Sequence, residues 1–114
     1  MLARANRLVS GDEFRRVSRR GRRVETDHMV VSSLVTDPGM PARFGFTMTK
    51  KVGNAVQRNR VRRRFRAIAW ELVRDGVTGR DVVVRGLPGS LDADWDTLHT
   101  ELTAAVAGEG ASER

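Results

Sequence analysis

The chain of 114 residues contains no cysteine. A disulfide framework is therefore excluded, and a reducing, cytoplasmic compartment is the simplest expectation. The opening residues, MLARANRLVSGDEFRR, lack the uninterrupted apolar segment of a signal peptide, and no stretch approaches the roughly 20 apolar residues of a membrane span. The sequence thus predicts a soluble protein that has no membrane partner.

Residues typical of protein-borne catalysis are also scarce. The two histidines, His28 and His99, are isolated and lack metal-ligand spacing, so no metal site is expected. The sequence has no Ser/His/Asp constellation and no nucleotide-binding glycine motif, and its acidic residues from Asp92 to Asp96 are typical of a solvated helix start. We therefore predict no catalytic residue and no organic cofactor on this chain.

Positive charge is abundant and unevenly distributed. The formal net charge is +7, but residues 1–66 alone have a net charge of +12 and residues 67–114 a net charge of −5. Nineteen of the 21 basic residues are arginine, whose planar guanidinium group binds phosphate with two donors at once. This distribution is typical of a basic surface that binds a polyanion.

Local patterns predict one domain over residues 1–107 and a disordered tail over residues 108–114. A capping box at Ser10 and Glu13 predicts a helix from about Gly11 to Arg20. Further patterns predict four strands, near residues 22–26, 29–35, 43–49 and 81–85, and two more helices, near residues 55–74 and 90–107. Ser90 is expected to cap the last of these helices. This order indicates an α+β fold built on one sheet.

Two patterns predict which side chains are buried. Trp70 and Trp95 are expected in the core. In the third strand, apolar side chains alternate with small or polar ones, so that one face should be core and the other should leave room for a ligand. The core face comprises Phe44, Phe46 and Met48, and the open face comprises Gly45, Thr47 and Thr49.

The segment Lys50–Ile68, KKVGNAVQRNRVRRRFRAI, holds eight Lys or Arg and no Asp or Glu. Its helical part has an apolar packing stripe beside a row of Arg58, Arg62 and Arg66, whose successive turns lie about 5.4 Å apart. Arginines spaced four residues apart repel each other and destabilise a helix. Binding of an external polyanion therefore explains this row better than a solvated charged face does. Gly53 can let the backbone approach a phosphate or can form a plain tight turn. Phe14 can stack on a base or can pack on Val9 as a hydrophobic staple.

The segment KKVGNAVQRNRVRRRFR resembles the signature of the bacterial ribonuclease P protein component, in which a lysine-glycine-asparagine turn leads into an arginine-asparagine-arginine helix. The segment ANRLVSGDEFRRVSRRG resembles the N-terminal leader and first helix of that family, and RFGFTMTKK resembles the strand that precedes the signature. The resemblance spans about residues 2–106. It implies an αβββαβα domain with a left-handed βαβ crossover, similar to the second domain of ribosomal protein S5.

The resemblance also implies a function. In that family one small protein, expected to be monomeric in isolation, pairs with a large catalytic RNA, and this RNA with its bound Mg²⁺ cleaves the 5′ leader from precursor tRNA. The protein binds the leader in a cleft between the first helix and the sheet. The RNA-binding positions that match the motif are Lys50, Lys51, Gly53, Asn54, Arg58, Asn59, Arg60, Arg62, Arg63 and Arg66, and Phe14 matches a cleft aromatic.

The sequence departs from the family at Ser18 and Ser32, where some members have further aromatic residues. We therefore expect leader binding to depend more on arginine–phosphate contacts than on stacking. Three alternatives remain open on the sequence: a ribosomal or other structural RNA-binding protein, a DNA-binding basic helix, and a nuclease that acts without RNA.

Overall fold

The computed structural model describes residues 2–111, with side chains up to residue 107. Its main elements are α1 (Gly11–Arg20), β1 (Arg22–Glu25), β2 (Met29–Val35), β3 (Arg43–Met48), α2 (Ala55–Arg74), β4 (Arg80–Gly86) and α3 (Trp95–Ala111). The order αβββαβα confirms the predicted α+β fold. Within residues 2–111, no helix combines the length and the apolar character needed to cross a bilayer.

The four strands form one mixed sheet in the order β1-β2-β4-β3. β2 is antiparallel to both β1 and β4, whereas β3 is parallel to β4 and is joined to it through α2, which makes the predicted βαβ unit. β4 lies inside the sheet, and its apolar run Val82–Val84 is buried on both faces, as is usual for a central strand. The left hand of the crossover stays an implication of the family resemblance.

The two faces of the sheet carry different helices. The main core lies between the sheet and the pair α2 and α3, where Phe44, Phe65 and Leu98 are fully buried. On the opposite face, α1 packs through Val17 against Val83. The alternation predicted for β3 is confirmed, since Phe44 is buried in the main core and the partly buried Phe46 and Met48 pack against it.

The start of α3 differs from the prediction. Ser90, expected to cap this helix, is buried in a short 3-10 turn, and its hydroxyl donates to the carbonyl oxygen of Leu87 at 2.6 Å. The helix begins at Trp95, and the backbone N–H of Thr97 donates to the Asp94 carboxylate at 2.8 Å. That hydrogen bond lowers the pKa of Asp94.

Two burial predictions are wrong, and part of the predicted tail is helical. Trp70 and Trp95 are not core residues, since 37% and 36% of their surfaces are exposed. The first residues of the predicted tail continue α3 as far as Ala111. Residues 112–114 lie outside the described residues, so the disorder expected there stays a prediction.

Candidate nucleic-acid interface

An open groove of about 430 Å³ lies between α1 and the sheet. Its floor consists of strand residues, among them Val30, Ser32 and Thr47, and its wall includes Ser18 of α1. Four arginines surround it: Arg15, Arg19, Arg23 and Arg85. Of the open face predicted for β3, Thr47 lines this groove, Gly45 lines a smaller cavity beside it, and Thr49 lines neither.

Phe14 separates this groove from a second cavity of about 200 Å³ at the edge of β3. The second cavity is also lined by Arg62 and Arg66 of α2. The two cavities therefore place the predicted residues Phe14, Arg62 and Arg66 along one surface. That surface runs from α1 to α2 and is rich in arginine.

Phe14 owes its position to Gly45. A Cβ atom added at Gly45 would lie 2.4 Å from Cζ of Phe14, so only glycine allows the ring to lie this close to the strand. The predicted hydrophobic staple is wrong, because Val9 is 79% exposed. Phe14 packs instead against the small cluster that contains Leu8 and Val83, and it remains partly exposed to both cavities.

An ion-pair network attaches α1 to the sheet. Asp81 of β4, whose side chain is 2% exposed, accepts from Nε and Nη2 of Arg43 at 3.0 and 2.9 Å and from Nη2 of Arg16 at 2.9 Å. Arg43 also donates to Glu13 at 2.9 Å, and these carboxylates raise the pKa of Arg43, the Asp81 hydrogen bond most strongly. This network therefore sets where the wall of the groove stands.

The capping box of α1 is present as predicted. The Ser10 hydroxyl accepts from the backbone N–H of Glu13 at 3.1 Å, and the Glu13 carboxylate accepts from the backbone N–H groups of Val9 and Ser10. The bond from Val9, followed by those from Ser10 and Arg43, lowers the pKa of Glu13. The Glu13 carboxylate thus caps the N-terminus of α1 and also binds Arg43 of the sheet.

The turn before α2 has a structural role that the sequence did not reveal. The Asn54 side chain accepts from the backbone N–H of Gln57 at 2.9 Å, and Gln57 Oε1 accepts from the backbone N–H of Asn54 at 2.9 Å. Gly53 has a φ of 150°, and a Cβ atom there would lie 2.1 Å from Gln57 Oε1. The sequence pattern N-x-x-Q could have indicated this second capping box.

Among the side chains described, those of residues 2–107, none of the six arginines from Arg58 to Arg66 forms a salt bridge with a carboxylate. Their hydrogen bonds go to neutral oxygens: Arg58 to Gly53 O at 2.6 Å, Arg62 to Asn59 Oδ1 at 2.6 Å and Arg64 to Ala93 O at 3.1 Å. The positive charge of the basic row is therefore not offset by any described carboxylate.

The remaining predicted site residues are divided between two locations. Asn59 and Arg63 line a third cavity, of about 190 Å³, together with Arg62 and Arg66. Lys50, Lys51 and Arg60 are exposed but do not line the three cavities described so far.

The groove arginines were not predicted as site residues. Arg15 and Arg19 stand four residues apart on α1, the same spacing that identified the row on α2, so the sequence did carry a sign of them. Arg23 and Arg85 carried no such sign, because they reach the groove only through the order of the strands in the sheet.

The histidines of the described chain are engaged by carboxylates. His28 Nδ1 lies 2.9 Å from Glu101 Oε2, and His99 Nε2 lies 2.9 Å from Glu71 Oε1. Among the described side chains, which end at residue 107, no three of His, Asp or Glu come together in a way that could hold a metal ion.

Comparisons with known proteins agree with this geometry. The sequence profile of the Ribonuclease P family matches residues 2–108. The ribonuclease P protein component of Clavibacter michiganensis subsp. michiganensis is 49% identical over 106 residues, which cover 93% of this chain and 94% of that protein. The corresponding protein of Beutenbergia cavernae is 44% identical over 110 residues, which cover 96% and 92% of the two chains.

Solved structures support the fold. The ribonuclease P protein of Thermotoga maritima superposes with a TM-score of 0.75 at 24% identity, covering 88% of this chain and 94% of that one. The protein of Staphylococcus aureus gives a TM-score of 0.74 at 24% identity, with coverage of 88% and 91%. With the family profile and the two relatives, the chain is shown to belong to the family of ribonuclease P protein components.

Proposed function

We propose that this chain, as the protein subunit of ribonuclease P, binds the single-stranded 5′ leader of precursor tRNA in the groove between α1 and the sheet. The observation that carries the proposal is the continuous surface described above, in which the groove passes Phe14 and reaches the uncompensated Arg62 and Arg66. A basic groove that contains an aromatic side chain is the usual arrangement for binding single-stranded nucleic acid.

The composition of the groove favours phosphate contacts over stacking. Its aromatic residue is Phe14, whereas Ser18 and Ser32 occupy positions that could have carried two more rings. Arginine is the most frequent residue type around it. The leader is therefore held mainly through its backbone, and binding should tolerate many leader sequences.

We assign the cleavage chemistry to the RNA partner and to Mg²⁺ ions that the RNA holds. The groove is lined by arginine, hydroxyl and apolar side chains. An arginine stays protonated at neutral pH and cannot serve as a general base. The residues of this surface can orient the substrate and offset phosphate repulsion, and they leave proton transfer to other groups.

Reconstitution with a bacterial ribonuclease P RNA tests the proposal. At low Mg²⁺ the chain should raise precursor-tRNA cleavage by the RNA, and the chain alone should cleave nothing. Arg62→Ala and Arg66→Ala, each added at a concentration that saturates the RNA subunit, should weaken binding of leader-bearing precursor more than binding of leaderless tRNA. Arg22→Ala is a matched control, because Arg22 is an exposed arginine that lies beside α3 residues and away from the groove. Equal losses on both substrates would argue against a leader groove.

The salt dependence of binding provides a second test. If the surface engages about five phosphates of a single strand, the logarithm of the affinity should fall with the logarithm of salt concentration at a slope of roughly −3.5. An affinity that does not respond to salt would contradict the proposal. The proposal also includes a cytoplasmic location and a monomeric free chain, and light scattering of the purified chain checks the latter.

A further inference from the structure

A fourth cavity, of about 320 Å³, lies on the exposed flank of α2 and includes an exposed tryptophan. It is lined by Leu2, Arg63, Arg66, Ala67 and Trp70. Leu2 is 1% exposed and gives the cavity an apolar floor, whereas Trp70 is 37% exposed. Trp70 therefore presents part of its indole ring at the border of this cavity, beside two arginines.

Trp70 is held between two turns of α2. Arg74, one turn towards the C-terminus, has its guanidinium carbon 5.0 Å from the centroid of the indole ring. Arg66 and Ala67, one turn towards the N-terminus, line the cavity with it. The cation–π contact holds the ring on the side of Arg74, and the ring also borders the cavity, where another planar group could stack on it.

The charges around this cavity are positive and uncompensated. Within the described part of the chain, Arg63 and Arg66 form no salt bridge, and Nε of Arg66 is buried without a hydrogen-bond partner. The two carboxylates nearest in sequence are already engaged, Glu71 with His99 at 2.9 Å and Asp75 with Arg74 at 3.2 Å. The cavity therefore suits an anionic ligand that also carries a flat ring.

We propose that Trp70 stacks on an unpaired base of the ribonuclease P RNA, while Arg63 and Arg66 bind the adjacent phosphates. The inference rests on the proposed function, because it takes the RNA subunit as the partner. We assign the base to the RNA subunit and not to the leader, because Trp70 lines neither the groove beside α1 nor the cavity at Phe14. Arg66 lines both the Phe14 cavity and the Trp70 cavity, so α2 would hold two RNA segments on its two flanks.

Tryptophan fluorescence tests this contact directly in the full-length chain. The chain has two tryptophans, so Trp95→Phe leaves Trp70 as the sole emitter. Titration of this variant with ribonuclease P RNA, in the absence of tRNA, should quench the Trp70 emission and reduce its access to acrylamide. Unchanged emission and unchanged acrylamide access at saturating RNA would overturn the inference.

Affinity measurements supply the second readout. Trp70→Ala should weaken binding of the RNA subunit by about 10-fold or more, because stacking on one base contributes an effect of this order. Trp70→Phe should restore most of the affinity, since a phenyl ring still stacks. Trp95→Ala is the matched control, because Trp95 is equally exposed but lies on α3 with its ring 5.8 Å from that of His99.

The outcomes separate this inference from the proposed function. A loss confined to leader-bearing tRNA would assign the cavity to the leader and overturn the inference. Wild-type affinity for the RNA subunit in Trp70→Ala would also overturn it, while the leader groove would stand. Failure of the wild-type chain to bind the RNA at all would overturn both.

Discussion

Replacing Asp81 with asparagine should release α1 from the sheet and so test what shapes the groove. The Asp81 carboxylate is 2% exposed and receives three hydrogen bonds of 2.9 to 3.0 Å from Arg16 and Arg43. An asparagine of the same size keeps the volume but removes the charge and one acceptor oxygen. Two guanidinium groups then lose their shared counter-ion at a buried position.

The expected loss can be estimated from the exposure of the partners. Removing one member of a buried ion pair costs about 3–5 kcal/mol of unfolding free energy. Arg16 is 44% exposed and can regain water, and Arg43 keeps its bond to Glu13, so the loss should lie near the lower limit, at about 3 kcal/mol. Small domains unfold with roughly 5–15 kcal/mol, so the change should be readily measurable.

Urea unfolding at neutral pH measures this change. Asp81→Asn should lower the midpoint at an unchanged slope, and Asp75→Asn is the matched control. Asp75 also pairs with an arginine, Arg74, but the two side chains are 64% and 53% exposed, so its loss should stay below about 1 kcal/mol. If both variants lose the same small amount, the buried network does not hold α1, and the account of the groove wall is wrong.

Three further predictions concern the groove and its caps. Gly45→Ala places a Cβ atom 2.4 Å from Phe14, so it should lower the stability by about 1–3 kcal/mol and should also lower leader affinity. The control, Gly39→Ala in an exposed loop, should change neither. Normal leader binding by Gly45→Ala would show that the position of Phe14 is unimportant. The pKa of Glu13 is lowered in the folded state, so the stability that Glu13 contributes is complete above its unfolded-state pKa and is lost as the pH falls through its folded-state pKa. The unfolding free energy of Glu13→Gln should therefore depend less on pH in the acidic range than that of the wild type. Identical pH profiles of the two proteins would refute this. Asn54→Ala should lose about 1 kcal/mol in thermal unfolding because the cap is removed. Asn54→Asp should keep the stability but bind RNA less tightly, and unchanged RNA affinity would place position 54 outside the interface.

The parts of the fold that the sequence predicted well are those fixed by local interactions. The start of α1 at Gly11 follows from the Ser10 capping box, which acts within one turn. The start of α3 was predicted wrongly because Ser90 and Asp94 are both good caps. The choice between them depends on the burial of Ser90, which is a tertiary effect.

The candidate site shows the same division. The row of Arg58, Arg62 and Arg66 is a local pattern along one helix, and sequence periodicity was enough to find it. Arg23 and Arg85 reach the groove only because β4 lies beside β2 in the sheet. Trp70 was assigned to the core, but at 100° per residue it lies on the face of α2 opposite the stripe of Val61 and Ile68, so helical periodicity could have indicated its exposure.

Two groups of arginines in this protein differ in the partners that they have. Those between α1 and the sheet, Arg16 and Arg43, are neutralised by carboxylates and hold the fold together. Those of α2 repel one another at a cost of about 0.2–0.5 kcal/mol for each pair spaced four residues apart. Burial of Val61, Phe65 and Ile68 on the same helix contributes about 1.5–3 kcal/mol for each side chain, which exceeds that repulsion several-fold. The helix therefore folds with its charges unneutralised, and an RNA partner can supply the counter-charge that the protein itself does not.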